Sequence, residues 1–460
     1  MTSSVSGLAS GLDTTSIISS LMQVEGATQT RLKNKVSAAE TVVSSYQSVN
    51  SKLVALKNAA ADVSALSTWR GVKPTTTSAS VTATAVGGTN TATGSLTFDV
   101  VELAKGQSTT ARVASSGNVT TASEFKVKVG TADEVTVSLG DDKSAKGIAD
   151  ALAKAGVTGV KASVVTTGGS ENILQFVSSK TGTDNGFTIT GLDGVSLATS
   201  AATNAKLQVG GADAEGGYSV TSSTNTFTGL MAGVTLTVSK KETGVTLNSE
   251  SDVSGMAAKF KGLVDAANAA LTEVTNQTKY DAATKASSPL TGDFMVRQMS
   301  QTILSTVSQG LTYRKDGAPA APDAKTASAA DIAADKAANV VNFGSLSKFG
   351  IELDRSGQLT FDETKFTAAY NADPTAIKQA GIALGDSFRT VANTQITNVT
   401  NSITGRKNNI DSLNLQIDNW DVRLAAKKVA LTKQYSDLET ALGKLQSQGT
   451  WLSGQIASLG

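Results

Sequence analysis

Neither an imidazole nor a thiol is available to this chain: its 460 residues include no His and no Cys. That removes the commonest general base and the commonest zinc ligand. It also removes thiolate nucleophiles, thiolate metal sites and disulfides. Carboxylates remain. Asp141-Asp142 and Asp418 with Asp421 are paired by spacing. The first pair falls in a turn and the second on a helix face, where solvation accounts for both. Asp354-Arg355-Ser356-Gly357 opens like a calcium loop but lacks Gly at its sixth position and an acid at its twelfth. There is no Walker A sequence, strand-following G-x-G-x-x-G, G-x-S-x-G elbow or H-E-x-x-H motif. No cofactor, metal site or enzymatic activity is expected.

The spacing that does carry information is aliphatic. Ile410, Ile417, Leu424, Leu431, Leu438, Leu445, Leu452 and Leu459 recur at seven-residue intervals, an apolar seam for a long helix. As one helix they would span about 75 Å at roughly 1.5 Å per residue. Leu413 and Trp420 continue the seam three residues on, but Lys427, Gln434 and Gln448 interrupt it. Gly443, Gly449 and Gly454 each weaken the helix by roughly 1 kcal/mol, so the last turns are expected to order only against partners. A terminal helix folded back on its own domain is the alternative reading of the same spacing.

The amino-terminal end matches. Ile17, Ile18, Leu21 and Val24 follow helical spacing behind Asp13, Thr14 and Thr15 as N-caps. Beyond Gly26, Leu32, Ala39, Tyr46, Leu53 and Ala60 form one heptad row and Val42, Val49, Leu56 and Val63 another. Trp69, Gly71 and Pro74 end that helix. An antiparallel pairing of the two ends is the economical arrangement.

Between the ends the pattern is α+β. From Thr75 small and β-branched residues alternate, predicting strands at 96–100, 125–129, 135–139, 161–165, 173–177, 187–189, 205–209, 218–220 and 234–238. One helix is predicted over 144–156. Helices return at 253–277 and 294–311, with a hairpin across 351–361 and a short helix over 362–373. The expected division is 1–45 as leg helices, 46–75 with 246–400 as a helical α+β domain, and 401–460 as a coiled-coil leg. An inner β-rich domain of 76–113 with 205–245 and an outer domain of 114–204 make a two-domain insertion. A formal net charge of +1 points to neither nucleic acid nor an acidic membrane surface. No apolar run is long enough to span a bilayer, and the start, Met-Thr-Ser-Ser-Val-Ser-Gly, lacks the features of a Sec signal. An aromatic content of 5% predicts light cores of small residues.

Helical ends around a β-rich insertion resemble bacterial flagellar axial proteins. Four strings narrow the resemblance: 6–25 (SGLASGLDTTSIISSLMQVE), 205–211 with 227–236 (AKLQVGG, FTGLMAGVTL), 290–293 (LTGD) and 349–362 (FGIELDRSGQLTFD). These are similar to the filament-capping, or flagellar hook-associated protein 2, family. The resemblance implies an oligomeric ring at the distal filament tip, promoting folding and insertion of exported flagellin. It further implies secretion to an extracellular site, with self, flagellin, an export chaperone and the export apparatus as partners. The partner-binding seam is then expected at Ile410, Leu413, Ile417, Trp420, Leu424, Leu431, Leu438, Leu445, Leu452 and Leu459. On the amino-terminal side it takes Leu32, Val42, Tyr46, Val49, Leu53 and Leu56. Two other readings stay open: a flagellin or junction protein, and a surface adhesin whose host ligand would meet 114–204.

Overall fold

The computed structural model describes residues 11, 13–88, 91–210 and 216–457. Helices account for 49% of the chain and strands for 25%, with long helices at both ends and a β-rich middle. That is the α+β class expected. Two compact units result: one takes the chain up to Ser64 and from Ala257 onward, the other takes Ala65–Met256.

In the first unit, a helix at Thr14–Glu25 is capped by Asp13, whose carboxylate accepts from the Ser16 amide at 2.9 Å. Gly26 keeps right-handed helical dihedrals, so the chain passes almost without a break into a 38-residue helix, Ala27–Ser64. The C-terminal helix runs 84 residues, Pro374–Ala457. It begins well upstream of the 401 boundary drawn from spacing. Pro374 occupies its first turn, where a missing N–H costs nothing, and Asp373 accepts from the Ala376 amide at 2.9 Å. At the other end it passes through Gly443, Gly449 and Gly454. Those turns were expected to be poorly ordered. Each glycine weakens the helix, but extending an existing helix adds a hydrogen bond for every residue fixed.

The remainder of this unit is built on an aromatic cluster. Phe260 stacks on Phe349 with ring centroids 5.3 Å apart and meets Phe366 at 4.8 Å; Phe343 meets Phe349 at 4.8 Å. Light cores were expected from composition, yet aromatics have been gathered in one place. The hairpin Ile351–Leu353 with Leu359–Phe361 is held there by Asn268. That amide donates to the Leu359 carbonyl and accepts from the Leu359 amide, both at 2.8 Å.

The second unit contains two β cores. In the first, a five-stranded antiparallel sheet has the spatial order Val72–Thr76, Glu242–Ser251, Gly94–Glu102, Ala205–Val209, Tyr218–Ser222. With a three-stranded sheet (Thr226–Met231, Val234–Val238, Val81–Ala85) it buries Phe98, Leu207, Leu236 and Leu247. Pro74 sits in the outermost strand, where a missing N–H is tolerated. The second core packs the helix Ala145–Lys154 with a four-stranded and a three-stranded sheet around Phe125, Ile148, Leu174 and Phe176. Gln107 pins this core's entry: its side-chain amide donates to the Phe187 carbonyl at 2.6 Å and accepts from the Phe187 amide at 3.0 Å. Strands Ser108–Ala114 and Thr226–Met231 are not among those that alternation predicts.

Candidate functional site

The paired terminal helices form a stalk, and its chemistry changes along its length. At the base, Tyr46, Val49, Leu53, Leu56, Ala60 and Val63 are buried, as are Ile377, Leu384, Phe388 and Val399 of the C-terminal helix. Full burial of Leu53 and Leu56 contributes about 1.5–3 kcal/mol each. Gly385 sets the closeness of approach. A Cβ there would lie 2.7 Å from both the Ala60 carbonyl oxygen and the Ser64 amide nitrogen, so any side chain forces the two helices apart. Sequence reasoning missed this, although Gly381 and Gly385 are four apart in a helix, the spacing that lets helices touch through backbone.

Midway, polar groups tie the amino-terminal helix to its neighbours. The Tyr46 hydroxyl donates to Asp293, and the Arg406 guanidinium lies over the Tyr46 ring, 5.3 Å from its centroid. Burial raises the Tyr46 pKa; the Asp293 hydrogen bond adds to this and Arg406 opposes it. Ser48 donates to Glu273 at 2.6 Å. That bond, and one from Gln277, hold the Glu273 carboxyl below the usual range.

Further out, Gln29 donates to Asp421 at 2.6 Å and to the Ile417 carbonyl at 3.4 Å. Ile417 itself is 9% exposed. A buried Gln between two paired helices acts as a register device, and Asp421 is its acceptor as well as a solvated carboxylate. Lys427 then pairs with Glu25 at 3.2 Å. Ile410, Leu413, Trp420, Leu424, Leu32 and Val42 are half-buried along this stretch, with Arg423 over the Trp420 ring at 4.8 Å.

Past Lys427 only the first helix accompanies the C-terminal one among the described residues, and cover thins. Leu431 is half-buried, Leu438 is 43% exposed, Leu445 62% and Leu452 54%. Trp451 and Ile456 are also exposed. Leu459 lies outside the described residues, as do 6–10 and Leu12 of the amino-terminal string and Gly211 of the second string. One heptad row thus passes from core to open surface.

Asp142 and Asp354 are occupied by local structure. Asp142 accepts from the Ser144 amide at 3.0 Å, and its hydrogen bonds with Ser144 lower its pKa. Asp354 accepts from the amides of Ser356 and Gln358 at 2.8 Å, closing a hairpin turn. Among the described residues no group of three or more His, Cys, Asp or Glu could hold a metal, and no helix is long and apolar enough to cross a membrane.

This architecture has counterparts among known proteins. The family model for the flagellar hook-associated protein 2 C-terminus matches residues 202–447, and that for its N-terminus matches residues 10–107. The flagellar hook-associated protein 2 of Escherichia coli K12 is 25% identical, covering 98% of this chain and 97% of its own. The Salmonella typhimurium protein of that name is 26% identical over 69% of this chain and 68% of its own. The crystal structure of the flagellar cap protein FliD D1-D2-D3 domains from Escherichia coli superposes with a TM-score of 0.56 at 23% identity. It covers 79% of this chain and 99% of that one, and so supports the fold. The chain belongs to the flagellar hook-associated protein 2 family.

Proposed function

We propose that this chain caps the distal end of the bacterial flagellar filament, outside the cell, and promotes folding and insertion of flagellin there. The observation that carries the reading is the stalk's gradient: a heptad seam satisfied by its own chain at the base and open at the tip. Exposed Leu438, Leu445, Trp451, Leu452 and Ile456 offer an apolar stripe. Such a stripe can pair with one flagellin helix, release it and pair with the next, because each contact is shallow and repeats along the helix. The base must stay assembled throughout, and its buried contacts keep it so.

In this reading the seam residues divide by role. Tyr46, Val49, Leu53 and Leu56 hold the stalk together, and Leu431, Leu438, Leu445, Leu452 and Leu459 meet flagellin. The β-rich unit, divided into an inner domain (76–113 with 205–245) and an outer one (114–204), would form the plate of a homo-oligomeric ring. Export chaperone and export apparatus would act on the chain before it folds. No catalytic step is needed. The test is a deletion strain, with and without the chain restored, scored for filament length and for monomeric flagellin in the medium. Lost filaments with accumulating monomer, reversed on restoration, are expected; normal filaments without the chain would overturn the reading.

A further inference from the structure

The C-terminal helix carries a second exposed row, distinct from the seam. Leu415, Val422 and Val429 are 65%, 71% and 70% exposed and recur every seven residues. At about 100° per residue they fall on the far side of the helix from Ile417. Asp411, Asp418 and Ala425 interleave with them at i+3 and i+4 spacing, all exposed, so the six form one continuous stripe. From base to tip it runs acidic and then apolar.

A second stripe lies on the amino-terminal helices. Lys35 and Arg31 are exposed, about a quarter and a third of a turn from the buried side of their helix. Val24 and Leu21 follow toward the tip, 74% and 40% exposed. This stripe runs basic and then apolar. Arg31, Lys35, Asp411 and Asp418 make no ion pair among the described residues. The register set by Arg406 over Tyr46, Gln29 on Asp421 and Lys427 on Glu25 brings the two stripes level. Lys35 and Arg31 stand at the height of Leu415 to Val422, Val24 and Leu21 at that of Val429. Each extends roughly 20–27 Å along the stalk at about 1.5 Å per residue. The two stripes leave the stalk in different directions.

Two different surfaces, complementary in charge and at one height, are what a side-by-side contact between identical parallel stalks requires. A head-to-tail cyclic contact joins one patch of each copy to a different patch of the next. We propose that the stripe of Asp411, Leu415, Asp418, Val422 and Val429 docks on the Leu21, Val24, Arg31 and Lys35 stripe of a second copy of this chain. The contact rests on the capping reading only in taking the copies to stand in a ring. It leaves the seam past Leu431 free for flagellin.

Absence of native Cys makes the contact directly testable. Full-length chains carrying Val24→Cys are mixed with full-length chains of different mass carrying Val429→Cys, under mild oxidation. Heterodimer should be the main disulfide-linked product, with little homodimer of either variant. Arg31→Glu with Lys35→Glu on the first chain should abolish it, and Asp411→Lys with Asp418→Lys on the second should restore it. Homodimers as abundant as heterodimers would overturn the proposal, as would no cross-link while the unmodified chain still self-associates. Cross-linking that competes with added flagellin on the same stripe would assign that face to flagellin instead and equally overturn it. The capping reading fails separately, if the unmodified chain does not restore filaments.

Discussion

The base and the tip of the stalk follow the same heptad rule and meet opposite fates. Leu53 and Leu56 are fully buried, whereas Leu445 and Leu452 are more than half exposed. Helical periodicity is the same in both. What differs is the length of chain facing them. The amino-terminal helices begin at Thr14 and the C-terminal helix continues to Ala457, so an antiparallel register leaves the last turns of the longer helix without a described counterpart. A heptad row says that a helix has an adhesive side; it does not say whether the partner is in the same chain.

That contrast can be broken most sharply by ending the chain after Ala430. Filament capping should be lost almost completely, read as monomeric flagellin in the medium, while the thermal unfolding midpoint stays close to that of the whole chain. A large fall in the midpoint would place the tip with the base. Next comes a pair of alanine substitutions. Leu56→Ala should cost about 2–5 kcal/mol in denaturant unfolding, and Leu445→Ala less than about 0.5 kcal/mol. Leu445→Ala should nonetheless shorten filaments; equal unfolding costs would erase the distinction.

Gly385→Ala sharpens the picture of the base. Its Cβ would meet backbone rather than a movable side chain, so a loss of about 1–3 kcal/mol is expected in the same unfolding measurement. The smallest effect is one of pH and lies away from the stalk. Arg314 and then Asn339 hydrogen-bond Asp335 and hold its carboxyl at about 2. A depressed carboxyl contributes stability above its unfolded value near 3.8, and that contribution is lost as pH falls through about 2. Asp335→Asn should therefore remove part of the acid sensitivity between those values, seen in hydrogen exchange of Leu311–Arg314 and Val340–Gly344, while the tip responds no differently.

Much of this architecture is legible in residue order alone. Alternation places most strands of the β unit because half-buried strands repeat every two residues, and the heptads place both terminal helices. Strand Ser108–Ala114 escapes because its buried positions are filled by Thr109, Ala111 and Val113; only one is strongly apolar. The aromatic cluster escapes because Phe260, Phe343, Phe349 and Phe366 are scattered along the chain, and composition averages them away.

The sequence by itself determined that both ends are helical, that the seam exists and that His and Cys chemistry is closed to the chain. These are local properties, set by residue type and by periods of 3.6 and 2. Tertiary structure alone decided which heptad residues are core and which are surface, why Gly385 must be glycine, and that Gln29 meets Asp421. Those depend on two segments nearly four hundred residues apart coming into register, and no spacing within either segment encodes the offset between them.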